Sequence, residues 1–157
     1  MSLSNYWKAF YILILGMALG AGIFAGAMTA PVVFHANDYI PGATLNHYQM
    51  GSLMSELFAR LNILIILSLV AILMEEVRKF RFKEKDTFES LSAVLILIAG
   101  TLFAFYYVPE ILNLQSQGPE ATVTETFANL HDASEMWFKV YALFMAVLII
   151  RKMIKKA

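Results

Sequence analysis

The residues able to do chemistry gather in two stretches of an otherwise apolar chain. Glu56 and Arg60 stand four apart, with Asn62 just beyond; His131, Asp132, Glu135 and Lys139 form the second stretch. On a helix the second four fall within one face about 100° wide. Glu56 and Arg60 share a face of their own helix. Such a set either lines a polar pocket for a cation, metal or small polar ligand, or pairs across helices as a clasp. The formal charge over Glu56, Arg60, Asp132, Glu135 and Lys139 is −1, and 0 once His131 is protonated. Near-cancellation is what burial in lipid demands. His131 and Glu135 have a spacing that suits a shared metal ion, and His35 and His47 lie on the same side of the chain's topology. A divalent metal is therefore the cofactor class these residues raise, without a dense ligand motif to accompany it. There are no cysteines, which removes disulfides, Cys-ligated zinc, iron–sulfur clusters and thiol catalysis. No Ser–His–Asp arrangement, phosphate loop or nucleotide motif stands out, so no catalytic residue is assigned.

The elements that must position these residues are membrane spans. Of 157 residues, 59% are hydrophobic and 15% charged, and the mean hydropathy is +0.64. A soluble domain carries about 25% charge. The zero net charge excludes a nucleic-acid partner held by a global positive excess. The apolar run over residues 9–36 has no Asp, Glu, Lys or Arg. It is too long for the apolar core of a signal peptide, about 7–15 residues. Spans are expected at about 8–33, 55–76, 88–110 and 131–151, with helix four extending outward over about 123–131. The fold class is an all-α, antiparallel four-helix bundle in the lipid bilayer, one domain in all. Only 14 uncharged residues separate Arg60 from Glu75, and 11 separate Lys139 from Arg151. A span needs about 20 residues, so spans two and four must take charged residues in with them. Both enter from the outer side, which puts the two polar stretches at one depth.

Lys and Arg are distributed unevenly. Lys8, the loop with Arg78, Lys79, Arg81, Lys83 and Lys85, and the tail with Arg151, Lys152, Lys155 and Lys156 hold ten of the twelve. The positive-inside rule puts both termini and that loop in the cytoplasm, in the inner membrane. Asp86 with Glu89, and Thr122 with Glu125, read as helix-opening caps. Pro31 and Pro109 are expected to kink or end spans one and three. Gly16-x-x-x-Gly20 and Gly22-x-x-x-Gly26 permit close helix approach, either within the bundle or in a homo-oligomer. Tyr6, Trp7, Tyr106, Tyr107 and Trp137 read as interfacial anchors.

Three features taken in order carry a resemblance: a glycine-rich first span ending in Ala30-Pro31-Val32-Val33-Phe34, then Phe58 and Arg60 opening span two, then Leu130-His131 with Ser134 opening span four. With these the chain resembles a family of small bacterial four-span membrane proteins of unknown function, related to the eukaryotic transmembrane protein associated with cisplatin resistance. The resemblance implies a four-helix membrane bundle and no activity. Lys8-Ala9-Phe10-Tyr11 and Phe34-His35-Ala36 are also similar to the first span of haem-pathway membrane oxidases. Tyr11 stands where those carry a histidine, which argues against haem. Three functions from different classes follow. The first is a protein that binds or passes a small solute or metal cation through an outer pocket. The second is a structural or assembly protein in which the same residues form a clasp. The third, against which Tyr11 argues, is a haem-linked membrane oxidoreductase.

Overall fold

The computed structural model describes residues 3–84 and 86–154. Lys85, Lys155 and Lys156 of the charge pattern lie outside the described residues. Four helices are long and apolar enough to cross a membrane: span one, Asn5–Phe34; span two, His47–Arg81; span three, Thr87–Ser116; and span four, Glu125–Ile154. They alternate in direction and pack as a bundle. The start of span one, the turn between spans two and three, and the end of span four lie together; this is called the basic end. The far end holds the two longer connections.

Local chemistry sets the helix starts. Asn46 caps span two in a reciprocal box, accepting from the Gln49 amide while the Gln49 side chain accepts from the Asn46 amide. Asp86 accepts from the Glu89 amide at 3.0 Å and opens span three. The opening of span four differs from expectation. Thr122 ends a single turn, Pro119–Thr122, that follows Gly118 at φ +108°. Thr124 is the residue that accepts the Phe127 amide, at 3.2 Å. The cap therefore falls two residues later than Thr122, because the proline turn has already used that segment.

Neither proline ends its span. A π-helical turn, Phe24–Thr29, precedes Pro31, and another, Phe103–Tyr107, precedes Pro109. Proline removes an N–H and crowds the carbonyl four residues back. A widened turn just before it absorbs both effects, and span three continues to Ser116. The two spans repeat one pattern. Tyr11, Leu15, Ala18, Gly22 and Ala25 are all buried, and so are the residues seventy-eight positions on, Glu89, Ala93, Ile96, Gly100 and Phe103.

The core runs the length of the bundle through Leu15, Ile65, Ile72, Ile96, Met145 and Leu148. Tyr141 and Ser68 share a buried hydrogen bond of 2.7 Å between spans two and four. A Cβ on Gly100 would meet Leu69 Cδ2 at 2.7 Å and Tyr141 Cδ2 at 3.0 Å; one on Gly22 would meet Phe138 Cζ at 2.6 Å. These two glycines let helices approach within the bundle. Gly16, Gly20 and Gly26 have nothing within 4 Å of that position. The outer surface is apolar, with Leu13, Ile63, Phe105 and Leu143 each about 60% exposed. In water such a surface is an aggregation hazard; against acyl chains it needs no cover.

Candidate functional site

At the far end, the polar residues singled out above form two separate pairs. Arg60 Nε donates to Glu56 Oε1 at 2.9 Å, with side chains 76% and 61% exposed. Lys139 Nζ lies 2.7 Å from Glu135 Oε1, with side chains 72% and 54% exposed. Each pair closes within its own helix, and among the described residues no ion pair joins spans two and four at this end. His131 and Asp132 are exposed, and the His131 ring stacks on Phe127 with centroids 6.3 Å apart. The His35 ring sits 2.8 Å from the Pro31 carbonyl oxygen, and His47 packs against Phe34. Among the described residues no group of three or more His, Asp or Glu is placed to hold a metal ion. These residues form no common pocket because their side chains lie on the outside of the bundle and each charge is met within its own helix.

Asn62 behaves differently. Its Nδ2 donates to the Ala104 carbonyl at 2.8 Å, inside the widened turn of span three. Among the described residues its Oδ1 is buried without a hydrogen-bond partner.

Burial of charge occurs at the basic end. The buried stripe of span two runs through Leu61, Ile65, Ser68 and Ile72 at three- and four-residue steps, and its next two members are Glu75 and Lys79. Glu75 accepts from all sides. Trp7 Nε1 donates to it at 2.8 Å from span one, Arg78 Nε at 2.8 Å from the next turn, and Lys152 Nζ at 2.7 Å from span four. Lys152 Nζ is also 2.9 Å from Glu89 Oε2 of span three. Lys79 Nζ donates to Glu76 at 2.7 Å and to Ser90 Oγ at 3.0 Å, and stands 3.6 Å from Glu89. The Ser90 hydroxyl in turn donates to Glu76 at 2.7 Å. The side chains of Glu75, Lys79 and Glu89 are no more than 5% exposed, and that of Lys152 is 12% exposed. Tyr11 lies beneath, its ring 5.8 Å from Lys152 Nζ. One network thus ties all four helices.

Just past the end of span two, Glu84 accepts two hydrogen bonds from Arg78, both 2.8 Å. Those bonds hold the Glu84 carboxyl below the usual carboxylate range. Asp86 pairs with Arg151 at 3.3 Å.

In the sequence, Glu75 reads as the charged edge of span two, Glu89 as the capping partner of Asp86 and Trp7 as an interfacial anchor. A signal for the network was present: carrying the span-two stripe two steps past Ile72 lands on Glu75 and Lys79. Glu89 likewise continues the buried stripe of span three toward its start.

The fold and this site together define a class: an all-α bundle of four helices, each long and apolar enough to span a bilayer, tied at one end by an ionic network. Within that class, the chain belongs to the family described as a domain of unknown function (DUF4149), whose model matches residues 13–120. The match takes in Glu75, Lys79 and Glu89; Trp7, Tyr11 and Lys152 lie beyond it. No curated protein and no solved structure matches the chain.

Proposed function

We propose that the chain is a multi-pass protein of the inner membrane with its basic end in the cytoplasm, and that its role is structural or in assembly. One observation carries this reading. The buried carboxylates of Glu75 and Glu89 are met by cations from their own chain, two helices contributing to each. A site filled by its own side chains suits a clasp that fixes four helices in register, and a buried pair serves that end when its members are matched. The open placement of Gly16 and Gly20 on the outside of the bundle supports a homo-oligomer as the assembly, since open small-residue faces permit close helix approach.

A second reading, binding or passage of a small solute or metal cation, is favoured by Asn62, whose Oδ1 is buried without a hydrogen-bond partner among the described residues while its Nδ2 holds the widened turn. Titrating the purified protein with zinc, nickel and magnesium separates the two. The assembly reading predicts no change in melting temperature with any ion, in wild type or in His131→Ala. A stabilisation by one ion that is lost in His131→Ala or in Asn62→Leu overturns it.

A further inference from the structure

We propose that the groove between spans three and four at the basic end binds one anionic phospholipid, with the phosphate on Arg151 and an acyl chain along Phe88, Val147, Ile150 and Ile154. The proposal rests on the membrane reading above and goes beyond it by naming a ligand.

Arg151 and Lys152 are consecutive and therefore about 100° apart around span four. Lys152 turns inward, where Glu75 and Glu89 share its ammonium at 2.7 and 2.9 Å. Arg151 turns outward. Its Nη2 lies 3.3 Å from Asp86 Oδ2, its guanidinium carbon stands 5.5 Å over the Phe88 ring, and its side chain is 49% exposed. Asp86 accepts the Glu89 amide through its other oxygen, so it is fixed as the cap of span three. Asp86 meets the guanidinium from one side, and Arg151 also lines the groove. A planar fork of five N–H donors matches phosphate oxygens two at a time.

Alongside Arg151 lies an open groove of about 370 Å³ lined by Phe88, Val147, Ile150, Arg151 and Ile154. Apart from Arg151 its walls are hydrocarbon, so water finds no set of polar partners there. A free phosphate ion would use Arg151 and leave the walls bare. A phospholipid uses both parts at once, with phosphate at the rim and chain in the groove. Exposed Arg81 and Lys83 at the same end give the surroundings a positive field, which favours a lipid of net negative charge over a zwitterionic one.

The test is retention of phosphatidylglycerol by the full chain in nanodiscs of phosphatidylcholine containing a minor fraction of phosphatidylglycerol, read by native mass spectrometry. One bound phosphatidylglycerol is expected on the wild type. Arg151→Gln is expected to weaken it about fivefold, the effect of one basic side chain near the surface. Arg81→Gln removes the same charge from the same end without touching the groove, and is expected to weaken retention markedly less than Arg151→Gln does. Equal losses in both variants overturn the site in favour of diffuse surface attraction, as does full retention in Arg151→Gln. Val147→Trp fills the groove with Arg151 intact and is expected to lower retention; retention at the wild-type level in that variant also overturns the proposal, whether or not Arg151→Gln folds. A wild-type chain that does not enter the nanodisc contradicts the membrane reading itself, a result distinct from entry without bound lipid.

Discussion

Lys152 and Glu75 meet at 2.7 Å although 77 positions separate them in the chain. The contact joins the last turn of span four to the end of span two, and Glu89 of span three shares the same ammonium. Replacing Lys152 by Met leaves two buried carboxylates without it. Breaking a buried pair by removing one partner costs about 3–5 kcal/mol. The expected outcome is a clear fall in melting temperature in detergent, with Glu89→Gln restoring part of it when combined with Lys152→Met.

Gly100 and Gly16 should respond differently to the same substitution. A side chain on Gly100 collides with Leu69 and Tyr141, whereas one on Gly16 meets nothing within 4 Å. Overpacking a close-packed site costs about 1–3 kcal/mol. Gly100→Leu is expected to lower the melting temperature and Leu69→Ala to relieve part of that loss. Gly16→Leu is expected to leave the monomer's melting temperature unchanged while disrupting cross-linked dimers.

Arg60 and Glu135 are expected to be energetically independent. Each is engaged within its own helix and largely exposed, and distant sites add within about 0.3–0.5 kcal/mol. A double-mutant cycle on Arg60→Gln and Glu135→Gln, read by thermal unfolding, should show no coupling beyond that. A larger coupling would restore the shared far-end site.

Much of this architecture is readable from one sequence, and the misplacement of the site has a physical reason. Uncharged runs such as residues 9–36 announce spans because hydrocarbon excludes charge, and the clustering of Arg78 to Lys85 with Arg151 and Lys152 marks one end. The short run between Lys139 and Arg151 predicts that span four takes charge in with it, and that reading falls on Glu135 and Lys139; the charge of span four that the bundle buries is Lys152, just past the other end of the run. Hydropathy does not choose between them. The choice comes from packing: Lys152 falls on the face that carries Tyr141, Met145 and Leu148 inward, while Glu135 and Lys139 do not. Likewise no pattern reveals that turns widen before Pro31 and Pro109, because that depends on whether neighbouring helices hold the span together past the proline.

Glu84 gives the bundle a dependence on acidity. Its carboxyl sits below the ordinary range because Arg78 donates two hydrogen bonds to it. The folded chain therefore holds this proton less readily than the unfolded chain does. The stabilisation is complete above the ordinary glutamate range and is lost as pH falls through the lower value of the folded state. The side chain is half exposed, so solvent screening keeps the effect small. Melting temperatures of wild type and Glu84→Gln are expected to differ at neutral pH and to converge in acid.

The ionic tie across the basic end is tested most directly by a double-mutant cycle on Glu75→Gln and Lys152→Met in lipid nanodiscs, read by unfolding free energy. A coupling of about 1 kcal/mol or more, with each single variant worse than additivity from the double predicts, is the expected result for two partners in one buried network. Independent effects that sum within about 0.3 kcal/mol would mean that the two groups do not hold the helices together, and would contradict the account.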